Sequence, residues 1–266
     1  MSEASTSARA QRRVRNRRRK RVAAVVAVLV VVLGAGAWWF SQDDGTAVQA
    51  QVRKATPSTA PRTNETAATV ATSIVPELPA YQEPDAASPV VGTFSQITEY
   101  RQPRTLLVVE QQDGWLKALL PARPNNSTGW IKAEDVTLSS TTLSVLIDLS
   151  ERTLSLSDGT VGLMSAKVGI GTPETPTPLG TFYVTDPVDL TSDPYGAYGA
   201  FAVGLSGYSE VLKSFRGGPG QIAIHGTTNP GDLGNEISNG CIRMLNDVVV
   251  PLAQQIPLGT PVTIVA

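Results

Sequence analysis

The chain has 266 residues, a formal net charge of −1, and only one histidine and one cysteine. A single cysteine excludes an internal disulfide, and one thiol with one imidazole is too small a set of soft ligands for a zinc cluster. We therefore expect no disulfide framework and no metal centre. No glycine-rich phosphate loop stands out, so the sequence predicts no cofactor.

Positive charge is concentrated at the N-terminus. Residues 1–21 hold nine Lys/Arg and one acidic residue, which leaves thirteen basic and twenty-two acidic residues in the remaining chain. A basic tail of this kind is compatible with nucleic-acid binding, but the apolar segment that follows it favours a cytoplasmic tail beside a membrane. We therefore expect no nucleic-acid partner.

Residues 22–40 form an uncharged apolar segment that ends in Trp38, Trp39 and Phe40. As a helix this segment would be about 28 Å long, close to the ~30 Å hydrocarbon core of a bilayer. We interpret it as a transmembrane helix in the cytoplasmic membrane, which places the rest of the chain outside, in the periplasm or cell wall. The alternative is a signal peptide cleaved near Ala37, which would release the protein.

Two segments separate the membrane helix from the last unit of the chain. Residues 41–85 are rich in Ala, Thr, Pro and Ser without strand or helix periodicity, so we expect a disordered linker. Residues 86–140 contain short apolar runs between turn residues, which predicts a small β-barrel. Trp115 and Trp130, each after a glycine, resemble the closing strand pair of bacterial Src-homology-3-like domains. Core packing and a role in gripping wall polymer remain open for both tryptophans.

Residues 143–266 alternate short strand-like runs with glycine- and proline-rich joints. This pattern predicts a mainly β fold, a sandwich or barrel rather than a doubly wound sheet. One short helix is expected at 248–255 and a closing strand at 260–265.

The chemistry of this unit centres on Cys241 and His225, which lie sixteen residues apart. A thiol is mostly protonated at neutral pH, so a nucleophilic Cys241 needs a base or a neighbouring donor. His225 is the only imidazole available, and the apolar run before it places it at a strand end. A buried, unreactive cysteine beside a packing histidine is the alternative.

The neighbours of both residues favour the reactive interpretation. Asn239-Gly240 predicts a tight turn, which would aim successive backbone N–H groups in one direction and could stabilise an oxyanion. Arg243 adds a positive charge that could bind a substrate carboxylate or lower the pKa of the thiol. Gly226, directly after the histidine, lets other backbone approach closely.

The order HGT, Leu-Gly, SNGCIRM within residues 225–244 resembles the signature of L,D-transpeptidases, and GIGTPETPTPLGTFYV at 169–184 resembles the family's approach to its site. The resemblance covers about residues 143–266. It implies a YkuD-type β-sandwich catalytic domain in an exported acyltransferase of bacterial cell wall biogenesis. The family often has histidine directly before Gly-Cys, whereas this chain has Asn239, so proton transfer falls on His225 alone.

The resemblance also implies a mechanism. Cys241 attacks the carbonyl of the third residue of a peptidoglycan stem peptide and releases the terminal D-alanine, and an amine of a second stem resolves the cysteinyl thioester. The Gly226 carbonyl orients His225. The backbone N–H groups of Asn239, Gly240 and Cys241 donate to the oxyanion. Ser238 and Arg243 line the site, and Arg243 is a candidate to bind the substrate carboxylate.

Three other functions remain open from the sequence. Water could resolve the thioester, which would make the protein an L,D-carboxypeptidase. A sortase-like transpeptidase shares the residue types, although its histidine lies much further from the cysteine. The last unit could also be an inactive wall-binding domain. Tyr195, Tyr198 and Tyr208 lie in a glycine-rich segment that either covers the substrate or packs structurally.

Overall fold

The computed structural model describes residues 67–266, and β-strands account for about half of this range, far more than its helices. The prediction of a mainly β chain is confirmed. The predicted basic tail 1–21, the predicted transmembrane helix 22–40 and most of the predicted linker lie outside the described residues. Within residues 67–266, no helix combines the length and apolar character that a membrane span requires.

The first seven strands form one antiparallel sheet, and they are β1 (Ala68–Ser73), β2 (Glu77–Tyr81), β3 (Val90–Ser95), β4 (Thr105–Gln112), β5 (Trp115–Leu119), β6 (Thr128–Lys132) and β7 (Val136–Thr141). Their spatial order is β3-β2-β6-β5-β4-β1-β7. Leu78, Leu106 and Ile131 lie fully buried in its core. The Src-homology-3-like assignment of this sheet stays a prediction.

The predicted linker at 41–85 extends too far, because β1 and β2 occupy residues 68–81 of it. Val70 lies opposite Leu107 on one neighbouring strand and opposite Ser139 on the other. The Ala- and Thr-rich sequence of β1 carries little strand signal by itself. Its stability comes from pairing on both edges, which local composition does not reveal.

The two tryptophans of this sheet occupy different positions. Trp130 is buried, and the ammonium group of Lys117 lies 5.5 Å from the centre of its ring. Trp115 packs edge-on against Tyr81, with 5.4 Å between ring centres. Both contacts are made within the sheet, which favours the structural interpretation of these side chains.

The last unit holds ten further strands: β8 (Leu143–Asp148), β9 (Thr153–Asp158), β10 (Val161–Lys167), β11 (Ile170–Gly171), β12 (Gly180–Asp189), β13 (Phe201–Tyr208), β14 (Gln221–Thr227), β15 (Glu236–Ser238), β16 (Ile242–Leu245) and β17 (Pro261–Val265). Eight of them form one sheet in the order β10-β9-β8-β17-β12-β13-β14-β16, and β11 pairs with β15. The predicted strand at 260–265 thus corresponds to β17.

One helix, α1 (Asn246–Gln255), buries Val248, Val249 and Leu252 in the core of this unit. It begins two residues before the predicted helix at 248–255. The core also contains Ile224 and Ile242, which are adjacent on the paired strands β14 and β16. The helix therefore packs behind the strands that carry the candidate site residues.

The pairing of β14 with β16 is parallel and places His225 opposite Arg243. A parallel pair cannot be joined by a two-residue hairpin and needs a longer crossover. Residues 228–241 form that crossover, and it ends at Cys241, directly before β16. The topology thus explains why a histidine and a cysteine separated by a loop meet at one edge of the sheet.

The first sheet braces the last unit through Arg123. Its Nη2 donates to the backbone carbonyls of Ser209, Leu212 and Pro219 at 3.1, 2.9 and 2.9 Å. Its Cζ also lies 4.7 Å from the centre of the Tyr208 ring. One guanidinium therefore holds both ends of the loop between β13 and β14.

We expect Arg123→Lys to lower the free energy of unfolding by about 1–3 kcal/mol, because a lysine ammonium cannot pack flat on the Tyr208 ring as the guanidinium can while it reaches the three carbonyls. Urea denaturation of the full-length chain measures this change. Arg152→Lys is the matched control, since Arg152 makes a half-exposed ion pair with Glu236 that should be worth less than about 1 kcal/mol. Equal losses in the two variants would contradict the bracing role.

Candidate active site

Five predicted site residues line one cavity of about 80 Å³: Cys241, His225, Ser238, Asn239 and Arg243. The other two, Gly226 and Gly240, contribute backbone beside it. The structure thus brings together the residues that the sequence singled out. No hydrogen bond joins Cys241 Sγ to the imidazole among the contacts found in residues 67–266.

The imidazole of His225 is buried and held in one orientation. Nδ1 lies 3.0 Å from the Gly226 carbonyl oxygen. A carbonyl only accepts, so Nδ1 carries the proton and Nε2 is left free to accept one. The Tyr198 ring packs edge-on against the imidazole with 5.2 Å between centres. The contact of Nδ1 with the Gly226 carbonyl is the one that the family resemblance implies.

Gly226 has a steric reason to be glycine. Its N–H donates to the Tyr198 carbonyl at 3.0 Å. A Cβ at this position would lie 2.1 Å from Asn246 Oδ1 and 3.0 Å from the backbone nitrogen of Ala200. Asn246 Oδ1 in turn accepts from that Ala200 N–H. The close approach predicted for this glycine therefore involves the start of α1.

Burial lowers the pKa of His225 to about 4, and the charge of Arg243 acts in the same direction. The Gly226 carbonyl opposes the shift because it favours the protonated ring. At neutral pH the imidazole is therefore uncharged, as a proton acceptor must be.

Burial also raises the pKa of the Cys241 thiol. The Ala223 N–H and the charge of Arg243 oppose this shift by favouring the thiolate. The site at rest is therefore a neutral thiol beside a neutral imidazole, and not a preformed ion pair. Ala223 escaped the sequence analysis because only its backbone acts.

The turn before the cysteine is tied by Ser238. The Ser238 hydroxyl donates to the Cys241 carbonyl at 2.5 Å and accepts from the Gly240 N–H at 3.1 Å. Gly240 has φ of 108°, a conformation that favours glycine. The Gly240 N–H already donates to the Ser238 hydroxyl, so it is not available to an oxyanion. The N–H groups of Asn239 and Cys241 remain the candidate oxyanion donors.

Arg243 is held by a carboxylate that the sequence analysis missed. Its Nη1 lies 3.1 Å from Asp232 Oδ2, which also accepts from the Thr227 hydroxyl at 2.8 Å. Asn229 donates to the other oxygen of Asp232 at 2.8 Å. The crossover loop thus fixes the Arg243 cation beside the cavity. The turn-forming sequence Asn-Pro-Gly-Asp was the available signal.

The three tyrosines of the glycine-rich segment have separate surroundings. Tyr198 lines the cavity and contacts His225, so it belongs to the site. Tyr195 is 84% exposed. Tyr208 packs against Arg123 and donates from its hydroxyl to the Pro121 carbonyl. Tyr208 therefore fits the structural interpretation, while coverage of the substrate by this segment stays a prediction that the position of Tyr198 is compatible with.

Within residues 67–266, no three His, Cys, Asp or Glu side chains lie close enough together to hold a metal ion. Arg216 is the second cation at the cavity, next to Phe215 in the loop that Arg123 braces. The cavity therefore combines a thiol, a neutral base and two guanidinium groups.

The lowered pKa of His225 predicts a pH-dependent stability. Between its ordinary value of 6.5 and the folded value of about 4, the unfolded chain binds a proton that the folded chain does not. This contribution to stability is complete above 6.5 and falls by about 3 kcal/mol as the pH drops to 4. Denaturant titrations of wild type and His225→Gln from pH 7 to 4 should show the difference between the two proteins changing by that amount. A pH-independent difference would contradict the buried neutral imidazole.

Sequence comparison identifies relatives of this unit. A family model described as the YkuD L,D-transpeptidase catalytic domain matches residues 143–264. The YkuD protein of Bacillus subtilis, whose name places it among the L,D-transpeptidases, is 31% identical over 153 residues, covering 55% of this chain and 84% of YkuD. YkuD of Bacillus licheniformis is 32% identical over 155 residues, covering 56% and 85%.

Solved structures give a weaker likeness. An L,D-transpeptidase from Mycobacterium smegmatis matches with 18% identity and a TM-score of 0.37, covering 55% of this chain and 76% of that one. L,D-transpeptidase 3 from Mycobacterium tuberculosis matches with 17% identity and a TM-score of 0.40, covering 55% and 77%. These scores are too low to support an argument, so the assignment rests on the sequence matches. The prediction made from residues 225–244 is confirmed, and the chain belongs to the L,D-transpeptidase family.

Proposed function

We propose that this protein cross-links peptidoglycan stem peptides through a thioester on Cys241. The observation that carries the proposal is the buried imidazole of His225, which lines the same cavity as Cys241 and has Nδ1 on the Gly226 carbonyl. This arrangement leaves Nε2 free to take a proton from a thiol that cannot ionise readily by itself. Membership of the L,D-transpeptidase family supports the substrate class.

Acylation begins when Nε2 of His225 accepts the thiol proton and the sulfur of Cys241 bonds to the carbonyl carbon of the donor stem. The N–H groups of Asn239 and Cys241 donate to the oxyanion that forms. When the intermediate collapses, the C–N bond breaks and the imidazolium gives its proton to the departing nitrogen. D-alanine leaves, and the donor remains as a thioester.

In the donor complex, Arg243 and Arg216 bind the carboxylate of the terminal D-alanine. A departing D-alanine carries a free carboxylate, and the cavity that contains His225 also contains Arg243 and Arg216. Guanidinium groups suit carboxylates because they donate through a planar fork. One N–H of Arg243 donates to Asp232, so Arg243 acts as a fixed charge. Arg216 lies on the loop between β13 and β14 that Arg123 holds.

Cross-linking completes the cycle. An uncharged amine of a second stem attacks the thioester carbon, a C–N bond forms and the C–S bond breaks. Nε2 of His225 takes the surplus proton of the amine and returns it to the Cys241 sulfur. Water in place of the amine would give hydrolysis, the carboxypeptidase alternative. The sortase-like alternative does not fit the family assignment.

We also propose that the enzyme works outside the cytoplasm, at the cell wall, and is anchored by residues 22–40. The support is the sequence alone: an uncharged segment of bilayer length, a basic flank at 1–21 and a tryptophan pair at its end. A low-complexity stretch beginning at residue 41 would give the enzyme reach from the membrane.

Incubation of the full-length protein with a carbapenem should add one drug mass, because ring opening by Cys241 forms the same kind of acyl-enzyme as the donor stem. Intact mass spectrometry measures the adduct. Cys241→Ser should form none, and an adduct on that variant would place the nucleophile elsewhere. An unmodified wild type would favour the inactive wall-binding alternative.

His225→Gln should lower the rate of dimer formation from a disaccharide-tetrapeptide by about 10²–10⁴-fold, the usual contribution of a positioned base. The loss should be this large because the chain has no other imidazole. Chromatography of the products separates cross-linked dimer from hydrolysed tripeptide. Tyr195→Phe, at a largely exposed ring, is the control that should keep wild-type rates. An active His225→Gln enzyme would assign the base to another group.

A further inference from the structure

A second cavity, of about 200 Å³, shares the Cys241 thiol with the first. Its walls are mostly apolar and include Val188, Leu190 and Pro219. Among the described residues that line it, Asp186 is the only one with a charged side chain. The nucleophile therefore lies between a cavity with two guanidinium groups and a cavity with one carboxylate.

The Asp186 carboxylate is buried, with a residue exposure of 4%. Its hydrogen-bond partners are the Thr98 hydroxyl at 2.5 Å and Gln221 Nε2 at 3.3 Å. Both donors are neutral, and none of the ion pairs found within residues 67–266 includes Asp186. A carboxylate has about four acceptor sites, so it retains capacity for a further donor. Burial of a carboxylate without a cation is costly, and a bound cation would offset that cost.

The position of this carboxylate is set by the backbone. The pairing of β12 with β13 shifts register between Val184 and Asp186, and such bulges re-aim the side chains they carry. Gly204 faces Asp186 across the pair, where an added Cβ would lie 3.1 Å from Asp186 Cβ. Gln221 Nε2 is itself fixed on the Leu205 carbonyl at 2.9 Å. The carboxylate is therefore fixed in place by its surroundings.

The first sheet completes this second cavity. Tyr100, in the segment between β3 and β4, is part of its lining. Thr98, two residues earlier, supplies the hydroxyl that Asp186 accepts. The cavity is therefore built by both sheets, with an apolar passage that contains a carboxylate and reaches the thiol.

We propose that this second cavity binds the acceptor, and that Asp186 recognises the ammonium group at the end of an aliphatic side chain. Apolar walls suit the methylene chain, and the carboxylate suits the charged terminus. The identity of the acceptor as a stem-peptide diamino acid rests on the proposed function. After binding, the ammonium loses one proton to water, and its nitrogen can then attack the thioester on Cys241.

A binding experiment tests the recognition without any reaction. The full-length protein is titrated with Nα-acetyl-lysine and with Nα,Nε-diacetyl-lysine, which lacks the charge, and heats of binding or NMR shifts are recorded. The charged ligand should bind about tenfold or more tightly than the neutral one, and Asp186→Asn should remove that preference. Asp189→Asn, an exposed carboxylate on the same strand that bonds to Thr191, is the matched control. Equal affinity for both ligands in the wild type overturns the proposal, whatever the variant's stability.

A kinetic experiment separates this proposal from the proposed function. In Asp186→Asn, the acceptor concentration for half-maximal cross-linking should rise about tenfold or more, a much larger factor than any change in the rate of carbapenem acylation of Cys241. Thr98→Val, which keeps the charge but removes one hydrogen bond, should give a smaller rise. If Asp186→Asn has the same half-maximal acceptor concentration as the wild type, the role of Asp186 is overturned and the proposed function is not affected. A wild type that forms no thioester overturns the proposed function, and the binding experiment then decides the role of Asp186.

Discussion

The parallel pairing of β14 with β16 is the constraint on which the site depends. It places His225 opposite Arg243 in register and brings Cys241 to the same edge of the sheet. A parallel pair needs a crossover, and the crossover here supplies Asp232, which holds the Arg243 guanidinium. The crossover that joins these two parallel strands therefore also supplies the carboxylate that pairs with Arg243. Helix α1 completes the arrangement, because Asn246 at its start packs against Gly226.

Burial sets the chemistry at this edge. It lowers the pKa of His225 and raises that of Cys241, so that each group is held in its uncharged form. A resting ion pair would carry two desolvated charges, whereas the neutral pair avoids this cost until a substrate arrives. In the mechanism that we propose, charge separation occurs only in the step in which the oxyanion donors can stabilise it. The charged side chains that line the two cavities are Arg216 and Arg243 in the first and Asp186 in the second.

Much of this site could be predicted from local sequence. The spacing of His225 and Cys241, the glycine after the histidine and the turn at Asn239-Gly240 all have short-range signals, and the family motif combines them. Features that depend on tertiary pairing had no such signal. Asp186 lines the same cavity as Cys241 and lies beside a register shift in β12 that has no local signal, and Ala223 acts only through its backbone. The early start of the first sheet was hidden in the same way, since β1 has a weak pattern and gains its stability from both neighbours.

The bracing of the β13–β14 loop by Arg123 has a consequence for the minimal unit of this enzyme. The family match begins at residue 143, yet the loop that lines both cavities is tied to a guanidinium at residue 123, and Tyr100 forms part of one wall. A fragment cut at the family boundary would keep Cys241 and His225 but lose a wall of the second cavity and the support that Arg123 gives the loop. The first sheet therefore forms part of the walls and supports of the site. Replacement of the first sheet would alter the wall that a substrate meets on its way to Cys241.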